Sequence, residues 1–199
     1  MIIEIEGIKL KLHPEVYEPA EDSILLLKNL VDVKGKEVLE IGVGTGLISI
    51  ACAKKGAKKV VGVDINPYAV KLAEENAKLN NLNNADISFI RSDLFENVSG
   101  TFDVILFNPP YLPTSEDDLI DSYINYAFDG GKDGREILDR FIDNLPNYLK
   151  KGGVVQILQS SLTGEEKTVN RLKSLGLKVE KVASLKIPFE ELMVINASF

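Results

Sequence analysis

The stretch Val38-Leu39-Glu40-Ile41-Gly42-Val43-Gly44-Thr45-Gly46 is a short apolar run that breaks into three glycines at alternate positions. The residues that follow, Leu47–Lys55, favour a helix. A buried strand that turns tightly into a helix is the opening unit of an open α/β sheet, and glycines let a ligand lie against the backbone of that turn. Working outward, apolar runs of strand length recur at Glu37–Ile41, Lys59–Asp64, Ile87–Arg91, Val104–Phe107 and Val154–Leu158. Helix-period stretches separate them, which predicts a mostly parallel sheet with helices on both faces. Two further runs, near Lys178–Leu185 and Glu191–Ala197, are close enough to form an antiparallel pair at the sheet's end, giving seven strands.

The helices carry recognisable ends. Asn66 caps a helix that has Pro67 at its first position and runs toward Leu79, a pairing that satisfies a free amide and fixes φ. Thr163-Gly-Glu-Glu166 reads as a capping box before Val169, Leu172 and Leu175, with Gly176 as the stop. Leu138, Ile142, Leu145 and Leu149 mark a helix over Arg135–Leu149, which Pro146 should kink or end early. A first helix is expected over about Ala20–Leu30. With no repeats or linkers, residues 1–199 read as one domain, residues 1–15 being an N-terminal extension.

The glycine spacing is Glu40-x-Gly42-x-Gly44-x-Gly46, not the Gly-x-Gly-x-x-Gly of dinucleotide folds. A carboxylate just before the turn repels a pyrophosphate and attracts the cationic methionine end of S-adenosylmethionine. A purely structural turn is the alternative. Asp64 ends the second strand, where a carboxylate can accept hydrogen bonds from a ribose hydroxyl pair or serve as a turn residue. Asp93, in Ser92-Asp93-Leu94, follows the third strand, and Asn108 follows the fourth. Glu40, Asp64, Asp93 and Asn108 are thus expected just beyond the C-terminal ends of four strands, the edge at which open α/β sheets bind ligands.

Phe102-Asp-Val-Ile-Leu-Phe107 runs into Asn108-Pro109-Pro110-Tyr111. Two prolines are destructive inside a central strand but make a rigid loop at its end, with carbonyls free to face a ligand. An amide nitrogen is a poor nucleophile, because its lone pair is delocalised. The Asn108 side-chain oxygen and the Pro109 carbonyl can accept its two hydrogens and stabilise developing positive charge, while Tyr111 covers the flat group. Asn108, Pro109, Pro110 and Tyr111 are therefore the candidate catalytic residues, Asn108 and Tyr111 the candidate substrate contacts. The same corner fits the exocyclic amine of adenine or guanine in RNA or DNA.

A net charge of −7 and no evident basic face argue against a phosphate-backbone substrate. One cysteine, Cys52, and one histidine, His13, allow neither an internal disulfide nor a transition-metal site. No spanning apolar run or leader pattern occurs, so no membrane association and a cytoplasmic location are expected. The long stretch 112–134 holds Glu116, Asp117, Asp118, Asp121, Asp129 and Asp133 against Lys132 alone. It is either a solvated loop or a pocket border that welcomes a basic protein. Arg135 either holds this loop or meets the substrate.

The strand pattern and these motifs resemble the Rossmann-like class I methyltransferases, in which the aspartate at Asp93 typically receives the adenine amino group and the next amide, at Leu94, reaches the ring. More narrowly, Val16-Tyr-Glu-Pro-Ala-Glu-Asp-Ser23, the Glu40–Gly46 turn, Asn108–Tyr111 and Gly130-Gly-Lys-Asp-Gly-Arg-Glu136 resemble the HemK-related glutamine methyltransferases, in particular their short archaeal and eukaryotic branch. The Tyr17–Asp22 segment is the most discriminating part, since the Asn-Pro-Pro-Tyr tetrad is shared with nucleic-acid amino-methyltransferases. The resemblance implies methylation of the glutamine amide in the Gly-Gly-Gln loop of a class 1 peptide-chain release factor. It implies cofactor contacts at Ser23, Glu40, Gly42, Asp64, Asp93, Leu94 and Asn108, to which the turn adds Gly44 and Gly46. Bacterial members dock the release factor through an additional N-terminal domain, for which residues 1–15 leave no room; the short branch uses a small zinc-binding activator subunit. Physically, Tyr17–Ser23 reads as a lid over the cofactor, or as a helix start stabilised by Glu21 and Asp22. The competing functions are a nucleobase amino-methyltransferase, a non-catalytic cofactor-binding subunit and a nicotinamide dehydrogenase.

Overall fold

Neighbouring side chains on a strand point to opposite faces, and in the central strands both faces are apolar. Leu39, Ile105 and Phe107 enter one core, while Val38, Val104 and Leu106 enter the other. Such strands are stable only with helices on both sides. The computed structural model, which describes residues 1–199, has that three-layer arrangement.

In chain order the elements are β1 Ile2–Ile5, β2 Ile8–Lys11, α1 Glu21–Lys28, β3 Glu37–Ile41, α2 Leu47–Lys54, β4 Lys59–Asp64, α3 Pro67–Leu79, β5 Ile87–Arg91 and β6 Phe102–Phe107. Then come α4 Glu136–Asn144, β7 Leu149–Ser160, α5 Glu165–Ser174, β8 Lys178–Ile187 and β9 Glu190–Ser198. The main sheet runs β5-β4-β3-β6-β7-β9-β8, seven strands of which β9 alone runs opposite to the others. From β3 the chain moves outward to β4 and β5, then returns to place β6 on the other side of β3. That reversal opens a crevice at the C-terminal ends of β3 and β6. The class I layout expected from the sequence is the observed one.

Three local features differ from the sequence reading, and a fourth follows it. Residues 1–11 form a β1–β2 hairpin, held to α3 by side chains that imitate a strand. Asn76 Oδ1 accepts from Lys11 N (2.7 Å) and its Nδ2 donates to Lys11 O (3.1 Å); Asn80 does the same for Lys9 at 3.0 and 2.7 Å. The helix read over Arg135–Leu149 ends early, as Pro146 predicts: it stops at Asn144, and a single 3-10 turn over Leu145–Asn147 accommodates the proline. Helix α5 is capped by Gly164 at φ 75° with no side-chain bond, not by Thr163. The Thr163 hydroxyl is already used, donating to Ser160 O and accepting from Gln159 Nε2, both at 3.0 Å. Finally, Glu40 lies within β3, one residue before its end.

Candidate active site

A cavity of about 560 Å³ occupies the crevice between the ends of β3 and β6, a size typical of sites that enclose a small molecule. Its wall includes the β3–α2 turn, where Gly42, Gly44 and Gly46 have φ of 73°, 53° and 89°. The amides of Gly42 and Val43 donate to Val63 O, which ties the turn to β4. A Cβ on Gly44 would meet nothing within 4 Å, so its backbone is open to a ligand. Gly46 does not line the cavity. Its Cβ would lie 3.1 Å from Ala73, and it serves the start of α2 and the packing against α3.

Glu40 is 5% exposed and accepts a hydrogen bond from Ser49 Oγ. Burial pushes its carboxyl up to about 8, against the lowering effect of that bond. Asp64 accepts from Gly44 N and Asn66 N, each at 2.9 Å, so both oxygens are fixed in direction while lone pairs remain for a diol. Burial raises its carboxyl as well, outweighing those amides. Asp93 borders the cavity and pairs with Arg140 Nη2 at 3.0 Å. Leu94 beside it has φ 50°, a strained value for a branched side chain, held by Ser92 Oγ donating to Leu94 O at 2.8 Å. Six carboxylates (Asp22, Glu40, Asp64, Asp93, Asp129, Glu190) face the cavity against one guanidinium, Arg140. That balance favours a net cationic ligand over a phosphorylated one.

The corner after β6 sits across from the glycine turn; a Cβ on Gly42 would come within 3.9 Å of Asn108 O. Asn108, Pro109, Pro110 and Tyr111 all line the cavity. Sequence reasoning missed what orients Asn108. Its Nδ2 donates to Asp22 Oδ2 at 3.1 Å, and Asp22, on α1, is buried. Asp22 in turn accepts from Ser23 N at 2.7 Å. The Asn108 amide is thereby fixed with its oxygen on the opposite side. Oδ1 is buried and has no hydrogen-bond partner, an orphan that native interiors rarely leave unmet. Burial, together with Asp22 and Glu190, also holds the Tyr111 hydroxyl far above its ordinary range, so it stays a neutral donor.

Residues 12–20 cross the cavity as a strap, with Val16, Tyr17 and Pro19 in its wall. Val16 packs on Ala69 and Leu72, and Glu15 O accepts from Asn66 Nδ2 at 2.7 Å. The strap also fastens the 112–134 segment: Glu15 Oε2 accepts from Ser122 Oγ (2.5 Å) and Tyr123 N (2.9 Å), and Tyr17 meets Phe128 edge-on at 5.3 Å. Leu112, Tyr126, Phe128 and Asp129 reach the cavity, whereas Glu116, Asp117, Asp118 and Asp121 stay on the surface. Arg135 is 4% exposed and does not line the cavity. Its guanidinium donates to Thr163 O, Gly164 O, Thr168 Oγ1 and Asp139, which makes it a structural clamp.

Fold and cavity together define a Rossmann-like methyltransferase of class I. The family model described as the methyltransferase small domain matches residues 10–129. A relative from Methanocaldococcus jannaschii, provisionally named a protein N5-glutamine methyltransferase, is 86% identical over 197 residues, covering 99% of this chain and 98% of its own. The human methyltransferase HEMK2 is 31% identical over 190 residues, with 92% and 89% covered. Among solved structures, the E. cuniculi Mtq2–Trm112 complex, responsible for methylation of the eRF1 translation termination factor, matches with TM-score 0.70 and 27% identity over 92% of this chain and 98% of the other. The chain belongs to the HemK-related glutamine methyltransferases, S-adenosylmethionine-dependent enzymes. No helix is long and apolar enough to cross a membrane.

Proposed function

We propose that this enzyme transfers a methyl group to the side-chain amide nitrogen of the glutamine in the Gly-Gly-Gln motif of a class 1 release factor. One observation carries the reading: the buried, unpartnered Asn108 Oδ1, aimed by the Asp22 bond to its amide nitrogen. It is an acceptor waiting for an N–H.

S-adenosylmethionine, when bound, supplies an electrophilic methyl on a sulfonium. The open backbone at Gly44, the adjoining Gly42 and the carboxylate of Glu40 suit its cationic methionine end, with Ser23 at the start of α1 nearby. Asp64 suits the ribose diol; Asp93 and the Leu94 amide suit the adenine. The carboxylate-rich wall supports that assignment, since a net cation gains there and a pyrophosphate loses.

The protein's own part is orientation and charge. Asn108 Oδ1 and the Pro109 carbonyl accept the two amide hydrogens of the substrate, which turns its lone pair toward the methyl and stabilises the cationic nitrogen as it forms. Tyr111 lies over the planar amide and excludes water. Residues 1–199 act as one domain in this reading. The Trm112 partner of the E. cuniculi relative supports a small activator subunit here too, of the zinc-binding kind that the family resemblance implies. A translation factor as substrate supports a cytoplasmic location.

The test is incubation with methyl-labelled S-adenosylmethionine and either cognate release factor or total RNA and DNA. Label in the release factor is the expected result. Label confined to nucleic acid overturns the proposal.

A further inference from the structure

Strands β8 and β9 are joined by a two-residue turn, Pro188–Phe189, with Ile187 paired to Glu190. Proline suits the first position of such a turn. The second sits at φ 69°, a region that glycine or asparagine occupies without strain and a phenylalanine does not. The Phe189 ring is also fully exposed, at 101%. A strained backbone and a solvated aromatic ring both disfavour this residue in the isolated protein, so nothing in the fold accounts for it.

The next residue points the other way. Glu190 lines the catalytic cavity, at the end that also holds Tyr17, Asp22 and Tyr111. Ser160 Oγ donates to its Oε2, which fixes the carboxylate and leaves Oε1 for a ligand. The tip is braced by the neighbouring turn, since Glu191 N donates to Ser161 Oγ at 2.9 Å. On that neighbouring turn Leu162 is 47% exposed, a second apolar side chain open to a partner.

We infer that this turn is a docking tip for the substrate protein: Phe189 enters an apolar hollow on its surface, while Glu190 receives backbone N–H donors from the loop that presents the acceptor glutamine. The inference rests on the proposed protein substrate. Continuity supports that occupant, because adjacent residues face the solvent and the catalytic cavity. Charge supports it as well: a carboxylate at this mouth attracts the free N–H groups of a glycine-rich loop and repels a phosphate backbone. An aromatic anchor beside a polar contact is the usual make-up of an interface hot spot.

Phe189→Gly removes the ring and relieves the backbone. It should raise the melting temperature, leave the Kd for S-adenosylmethionine unmoved in calorimetry, and raise the KM for the release factor about tenfold. Phe189→Leu, which restores an apolar side chain, should recover part of that KM. Glu190→Gln should raise the same KM by a larger factor than it raises the Kd for S-adenosylmethionine. A Phe189→Gly enzyme with wild-type KM for the release factor overturns the docking tip while leaving the proposed function intact. A wild-type enzyme that transfers no methyl to the release factor even with the activator subunit present overturns both.

Discussion

Asn108 shows how much a single bond decides. An asparagine side chain has a donor end and an acceptor end, and only the acceptor end helps an amide nucleophile. Asp22 takes the donor end, so the oxygen is left without a partner and free to accept. Asn108→Ala should lower the rate of transfer by about a thousandfold with cofactor binding largely kept, as loss of a preorganised hydrogen-bond partner does. Asp22→Ala leaves the oxygen in place but frees the amide to flip, and should lower kcat roughly ten- to a hundredfold. Asp22→Asn, which still offers an acceptor, should recover part of that loss. An Asp22→Ala enzyme with wild-type kcat would remove Asp22 as a positioning residue.

Glu40 gives a pH dependence at the same scale. With its carboxyl pushed up to about 8 by burial, it is largely protonated at neutral pH. A cationic ligand favours the ionised form, so binding releases a proton below pH 8, and S-adenosylmethionine affinity should weaken as pH falls from about 8 toward 6. Glu40→Gln should flatten that profile, and calorimetry in buffers of different ionisation enthalpy reads the proton directly. The linkage to folding has the opposite sense. A raised folded-state pKa means that the stability conferred by neutral Glu40 is fully present below the unfolded value and is lost as pH rises through about 8. Burial shifts Asp64 in the same direction and adds to the trend.

Elements explain why the sheet could be read from sequence and the hairpin could not. Strands buried on both faces, such as β3 and β6, are continuous apolar runs, and the Asn66–Pro67 cap of α3 is a local signal; both survive in a one-dimensional reading. The β1–β2 hairpin depends on Asn76 and Asn80, polar residues on a helix far along the chain, whose pairing has no local signature. The Asp22–Asn108 bond spans 86 positions and was invisible for the same reason. Thr163 does not cap α5 because its hydroxyl serves Gln159 and Ser160 and its carbonyl serves Arg135, neither of which the capping pattern encodes. Motif residues at the strand ends were legible because their chemistry is tied to the turn that follows each strand. Asn76 also donates to Thr45 O at 2.9 Å, linking hairpin, α3 and glycine turn. Asn76→Ala should therefore destabilise the protein by about 2–3 kcal/mol in denaturant titration, as unmet buried polar groups do. It should also speed proteolysis within residues 1–20 and weaken cofactor binding through the loosened strap.

Across the whole molecule, one crevice gathers residues from α1, β3, β4, β6 and β9, with the strap and the 112–134 segment fastened to each other over it through Glu15. The negative wall selects a cationic cofactor, and the oriented Asn108 oxygen selects a planar nitrogen carrying two hydrogens. Both selections meet at one product. The most direct test is tandem mass spectrometry of the cognate release factor after reaction with this enzyme and S-adenosylmethionine. The account predicts a single added methyl on the side chain of the Gly-Gly-Gln glutamine, absent with Asn108→Ala. A methyl on any other residue, or equal modification by the Asn108→Ala enzyme, would contradict it.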